Sequence, residues 1–251
     1  MTNNSPLLLH IPHASIFIPP EELPRFCPVD LAGELLKMTD RYCDELFTGY
    51  EKVAFPVSRL VCDPERFRDD AQETMSRIGM GAIYTKTSSG DPLRWVTEEE
   101  REKLLRQYYD PHHARLTEAV EEKLKVHGRC LIIDDHSFHP IPLPYEPDQE
   151  PDRPDFCIGT DPYHTPEKLA IAAMTFLQRE GFTVSLNRPY AGSLVPLKYY
   201  RRDGRVCSIM IEINRRLYMD ENGRRSERFS SIQRTVSVLL EKLEEYSAAN
   251  E

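Results

Sequence analysis

Residues 130–146 read CLIIDDHSFHPIPLPYE. The first four, Cys130 to Ile133, are a short apolar run with two β-branched residues, preceded by Gly128, which is the pattern of a buried strand. The run is expected to break at Asp134, Asp135 and His136, because Pro140, Pro142 and Pro144 cannot continue a central strand. Two carboxylates and an imidazole are thereby delivered to the end of a buried strand, where open α/β sheets bind their ligands. Imidazole and carboxylate together suit zinc or another borderline divalent metal. The plainer alternative is a strand that ends in a solvated polar turn.

The same arrangement recurs at the start of the chain. Leu7 to Ile11, LLLHI, reads as a strand closed by Pro12, and His13 follows at once. A second imidazole just past a strand end strengthens the case for both. Leu31 to Tyr50 reads as a helix capped by Asp30, with an apolar stripe of Leu31, Leu35, Met38, Cys43, Leu46 and Phe47. Inside it lies TDRYCDE, residues 39–45, either a solvated charged face or a source of ligands. A strand is expected over Ser58–Cys62, closing on DPERFRDD. With Arg59, that run sets cations beside carboxylates. It is either an ion-pair loop or a device in which planar guanidinium forks hold a substrate carboxylate.

Further along, Thr97 with Glu100 forms a capping box at the start of a long helix, which Asp110-Pro111 can interrupt. His112 and His113 are adjacent rather than one turn apart, so they read as surface or packing residues. FCIG, residues 156–159, is a short strand. Thr165-Pro166-Glu167 is a helix start, with Thr165 as N-cap and Pro at the first position. Phe182 to Leu186 reads as a strand ending in a Gly/Pro turn that carries Arg188, a candidate anion binder. Cys207 to Ile213 is the last strand, with Ile209, Ile211 and Ile213 on one side and Met210 and Glu212 on the other. Glu212 is costly to bury as a free charge. It is either paired with Arg215 or Arg216 or serves as a general base with a raised pKa. Phe229 to Tyr246 is a closing amphipathic helix.

Strands alternate with helices throughout the 251 residues, without a repeat or a composition break, so a single α/β domain spanning 1–251 is expected. A content of 40% hydrophobic and 29% charged residues is that of a globular chain. The balance of 32 basic against 41 acidic side chains, net −9, argues against nucleic acid or anionic membrane as a partner. No stretch approaches the ~18 apolar residues of a membrane span, and the N-terminus has neither the positive start nor the apolar length of a signal peptide. Six scattered cysteines with no CxxC pair suit buried free thiols and a reduced, cytoplasmic setting. Oligomeric state is not legible.

Two strand-end histidines, His13 and His136, call for a third ligand, since catalytic zinc takes three protein ligands and keeps a position open. Asp40 is the best candidate. Glu212 fits the carboxylate that takes a proton from the attacking water. Asp134, two residues before His136, can orient its imidazole. Arg59, Arg66, Arg188 and Arg215 are available to an anionic substrate.

Taken together, PHAS (12–15), TDRYCDELF (39–47), SRLVCDPERFRDD (58–70), DDHS (134–137), NRPYAG (187–192) and EINRRLYMDE (212–221) resemble the N-formylglutamate amidohydrolases, in that family's order. The resemblance implies a zinc-carboxypeptidase-like α/β fold, a three-layer domain with a mixed, mostly parallel sheet. It implies metal-dependent hydrolysis of an N-acyl amino acid, releasing formate and glutamate in the type reaction, a step in histidine degradation. It also implies Zn²⁺ or another divalent transition metal on His13, Asp40 and His136, Glu212 as general base, and arginines on the carboxylates of a small acidic substrate. Two positions depart from the family's usual pattern: Ala14-Ser15 stands for Ser-Gly, and Glu65 for Asn. The alternatives are a zinc deacylase or peptidase acting on another N-acyl substrate, and a metal-free binding protein for acidic metabolites.

Overall fold

Why the apolar runs become one sheet is visible in their alternation. A computed structural model describes residues 5–249. Six strands, β1 (Leu7–Ile11), β2 (Glu51–Ala54), β3 (Cys130–Phe138), β4 (Phe156–Gly159), β5 (Val184–Leu186) and β6 (Val206–Asn214), lie in the order β2-β1-β3-β6-β4-β5. The first four strands of that order run parallel; β4 is antiparallel to β6, and β5 follows β4 in parallel. The sheet is therefore mixed and mostly parallel.

Both faces are covered, as parallel sheets require. Leu7, Leu9, Leu131, Ile133, Ile209 and Ile211 pack on one side against helices α2 (Cys43–Leu46), α5 (Glu167–Arg179) and α6 (Phe229–Ala249). Leu8, Cys130, Ile132 and Val206 face the other way, against Leu116 and Val120 of helix α4 (Asp110–His127). Helix α3 (Glu98–Leu104) starts at the expected capping box of Thr97 and Glu100. It runs through a π-turn at Leu105–Tyr109 into α4, which carries Pro111 in its first turn. Gly128, at φ 72°, ends it. No described helix is long and apolar enough to cross a membrane. Cys43, Cys62, Cys130 and Cys157 are buried free thiols, and Cys27 and Cys207 are half-buried and also free.

Four local expectations are corrected. β3 does not stop at Ile133 but runs on to Phe138, every residue buried, because β6 stays paired with it through Phe138 while β1 pairs as far as Asp134. The helix over 31–50 is two helices, α1 (Leu31–Met38) and α2, separated by residues 39–42. The strand expected at Ser58–Cys62 is a turn, closed by Val61 N–H to Ser58 O, and the strand is Glu51–Ala54 instead. Thr165 does not cap α5, since its hydroxyl donates to Ser208 O.

Candidate active site

Strand β3 sets the geometry. Because it continues past Ile133, Asp134 and His136 project from one face and Asp135 and Ser137 from the other. The parallel register places His10 beside Asp134 and Glu212 beside His136. The acidic and imidazole groups thus stand in a ladder at the carboxyl ends of β1, β3 and β6.

Asp40 joins them through the break in the helix. At Tyr42 the backbone turns through a positive φ of 68°, and Asp40 N–H donates to His13 O at 3.0 Å. The side chain thereby points inward instead of lying on a solvated helix face, and Asp44, left on α2, is exposed. Asp40 Oδ1 accepts from Arg215 Nη2 at 2.8 Å and Ser137 Oγ at 3.2 Å, leaving Oδ2 directed at the two histidines.

Three donor atoms now converge. Asp40 Oδ2 is 3.2 Å from His136 Nδ1 and 3.5 Å from His13 Nδ1, and the two Nδ1 atoms are 3.3 Å apart. Donors bound tetrahedrally at zinc's ~2.0–2.1 Å stand about 3.3–3.4 Å from one another. Two imidazoles and one carboxylate at this spacing fit a zinc-class cation in both chemistry and size.

The histidine tautomers agree with that use. His13 Nε2 donates to Asp63 Oδ1 at 2.8 Å, so its Nδ1 lone pair faces the convergence point. Burial, followed by the Arg59 charge, holds the His13 pKa below its ordinary value and keeps the ring neutral. For His136, burial opposes protonation, but Asp134 and Asp40 outweigh it and raise the pKa well above the ordinary value. For Asp40, burial is outweighed by His13, His136 and Arg215, which hold the carboxyl well below the usual range. The position between these groups therefore favours positive charge.

Asp63 was not singled out by the sequence. It is completely buried, receives His13 and Glu65 N–H on Oδ1, and takes Arg59 Nη2 and the Tyr84 hydroxyl, both at 2.7 Å, on Oδ2. A carboxylate holding the outer nitrogen of a metal-binding histidine is a recurrent arrangement, and the only signal for it was its place in the charged run after Cys62. Asp134, expected to orient His136, lies 3.4 Å from its Nε2, while its hydrogen bonds go to His10 Nδ1 at 2.9 Å and Leu194 N–H at 2.8 Å.

Glu212 lies on the inward face of β6 and is 6% exposed. Neither expected salt bridge forms: Arg215 is engaged with Asp40 and Ser137, and Arg216 with Asp155. Glu212 Oε2 is buried without a hydrogen bond. Burial pushes its carboxyl up to about 8, with His136 and Arg215 pulling the other way.

A cleft of about 180 Å³ opens over these groups and is also lined by Arg59, Arg66 and Tyr145. Arg59 is committed to Asp63 through Nε and Nη2. Arg66 is looser, 3.7 Å from Asp63 Oδ2, with a buried Nε that has no hydrogen bond. Arg215 borders the cleft, but its donors serve Asp40, Ser137 and Lys37 O. Arg188 does not come to the site. It is exposed and paired with Asp148, because its strand ends beyond β4 at the far edge of the sheet. His112, expected at the surface or in packing, is completely buried against His10, while His113 bonds Pro64 O.

Comparison with known proteins returns one consistent group. Residues 5–219 match a family model described as N-formylglutamate amidohydrolase. A protein named N-formylglutamate deformylase from Pseudomonas aeruginosa is 26% identical over 258 residues, covering 95% of this chain and 91% of its own. A Pseudomonas putida protein of the same name is likewise 26% identical, with the same coverage. The crystal structure of an N-formylglutamate amidohydrolase from Ralstonia eutropha JMP134 superposes with a TM-score of 0.85 at 27% identity, covering 98% of this chain and 95% of the other. A gene product from Agrobacterium tumefaciens shares the fold, with a TM-score of 0.64 at 21% identity.

Proposed function

The chain belongs to the N-formylglutamate amidohydrolase family, and on that premise we propose that it hydrolyses the amide of a small acidic N-acyl amino acid with the help of a divalent metal. N-formyl-L-glutamate is the first substrate to expect, yielding formate and L-glutamate, as the names of its relatives suggest. The observation that carries the reading is the convergence of His13 Nδ1, Asp40 Oδ2 and His136 Nδ1 at 3.2–3.5 Å beside the unpaired Glu212 carboxylate.

A zinc-class cation held by those three residues would supply Lewis acidity to the acyl oxygen and to the attacking water. The remaining work belongs to the chain. Asp63 keeps the His13 imidazole turned inward, Asp134 faces His136 Nε2 at 3.4 Å, and Arg215 fixes Asp40 by one oxygen. Glu212, in register with His136, takes the proton of the attacking water and returns it to the departing amine nitrogen. Its raised pKa suits both halves of that exchange near neutral pH, because a stronger acid would accept the proton poorly. Arg66, with spare donors facing the cleft, receives a substrate carboxylate, and Arg59 adds charge behind it. A cleft this small and this rich in guanidinium groups suits an acidic metabolite better than a peptide.

The test is a substrate panel on zinc-loaded protein: N-formyl-L-glutamate, N-formyl-L-leucine and N-acetyl-L-glutamate, followed by release of the free amino acid. The reading expects N-formyl-L-glutamate to be cleaved at least tenfold more efficiently than N-formyl-L-leucine. Cleavage of the acetyl compound alone would move the activity to another acyl group. Binding of N-formyl-L-glutamate without cleavage of any compound would contradict the hydrolase and favour a binding protein.

A further inference from the structure

Beneath the first donor set lies a second. His10 is completely buried on β1, and its Nδ1 is 2.9 Å from Asp134 Oδ1 and 3.4 Å from Glu65 Oε1. One ligand atom from each of these three residues lies within 4.8 Å of the other two. Two buried atoms here make no hydrogen bond, Glu65 Oε1 and His136 Nε2. The His136 side chain is 6% exposed, and its Nε2 points into the cluster, 3.4 Å from Asp134 Oδ1 and 3.8 Å from Glu65 Oε2.

Two carboxylates enclosed together repel one another unless positive charge lies between them. His10 is also held as a ligand would be. Its Nδ1 bonds Asp134 Oδ1 at 2.9 Å and its other ring nitrogen, Nε2, is 2.9 Å from His112 Nε2, so a cation that takes the place of the Nδ1 proton leaves the remaining proton on Nε2 with His112 as acceptor. These separations of 2.9 and 3.4 Å match the edges of octahedral and tetrahedral shells with bonds of ~2.1 Å, about 3.0 and 3.4 Å. Glu65 lines the cleft, which gives an ion a way in, while His10 and Asp134 are buried behind it.

We propose that His10, Glu65 and Asp134 form a second divalent-cation site for a zinc-class ion, entered from the cleft and distinct from the His13–Asp40–His136 set. One imidazole and two carboxylates suit zinc, cobalt or manganese. Asp134 links the two sets, since its Oδ1 is the nearest carboxylate oxygen to both His10 Nδ1 and His136 Nε2. The site stands on geometry of its own and does not rest on the reaction assigned above.

The experiment counts zinc. Tag-free protein stripped with a chelator is titrated with zinc against a chromophoric competitor, and bound metal is measured after gel filtration, with thermal unfolding as a check on folding. Wild type should bind two equivalents. Glu65→Gln and His10→Gln should each keep one, with the other weakened at least tenfold, whereas His13→Gln should lose the equivalent that those variants keep. One equivalent in wild type that survives Glu65→Gln and disappears in His13→Gln would overturn the second site and leave the proposed function standing. A second equivalent that survives both Glu65→Gln and His10→Gln would be adventitious, and would equally overturn it. No bound zinc in wild type would remove both sites together.

Discussion

Asp63 does for His13 what no charge count reveals: it accepts the Nε2 proton and so leaves Nδ1 free for a cation. Replacing Asp63 with Asn keeps the shape but offers an amide where the carboxylate stood. Removing such an outer partner typically lowers metal affinity by about 10–100-fold. Asp63→Asn should therefore weaken zinc by that factor in a competition assay, with the fold retained. Glu212 makes a different prediction. Its carboxyl, pushed up to about 8 by burial, must be ionised to accept a proton, so kcat/KM should rise with pH along a limb governed by this group. A cation near His136 pulls the limb downward, so its midpoint should fall below 8 in zinc-loaded enzyme. Glu212→Gln should abolish turnover while metal content stays unchanged. At this scale the sequence was informative for groups at strand ends. His13 and His136 stood just past or within apolar runs, and Glu212 stood out as a carboxylate in an isoleucine-rich strand. Asp63 and Glu65 were lost among the charges of DPERFRDD, because which of several neighbouring carboxylates turns inward depends on tertiary packing. Arg188 failed for the complementary reason: a strand end is a binding position only near the middle of the sheet.

Elements were legible where local chemistry decides them. The strand Leu7–Ile11 and the capping box of Thr97 and Glu100 both follow from nearby residues. Those set by long-range partners were not. The extension of β3 to Phe138 depends on pairing with β6, which holds polar residues in register, and the split between α1 and α2 depends on Arg215 and His13 drawing Asp40 inward. Polar residues inside a buried strand read as its end, which is why functional groups hid the element that carries them. A second feature of this kind is the buried pair of Arg153 and Glu146, in a proline-rich segment that reads only as loop. Glu146 also accepts Leu143 N–H at 3.0 Å, and Arg153 lies over the rings of Phe138 and Tyr190 on the cleft wall. Removing one member of a buried pair leaves an uncompensated charge, at a cost of about 3–5 kcal/mol. Glu146→Ala should lower stability by that amount in urea unfolding, with a loss below 1 kcal/mol contradicting the assigned burial.

The whole molecule gathers residues from both ends of the chain into one cleft, since β1, β3 and β6 are adjacent in space but far apart in sequence. That is why composition argued against some partners without identifying any, and why ordered motifs across the chain were needed to suggest a family. The sheet supplies rigidity, the breaks at residues 39–42 and after Cys62 supply inward carboxylates, and the arginines give the cleft its sign. The central claim is that the three converging donors hold a metal on which amide hydrolysis depends. It is tested most directly by following formate release from N-formyl-L-glutamate with protein stripped by a chelator and then given zinc. The account predicts activity lost on stripping and restored by added zinc in wild type, but not in His136→Gln. Full activity in protein shown to be free of metal would contradict it.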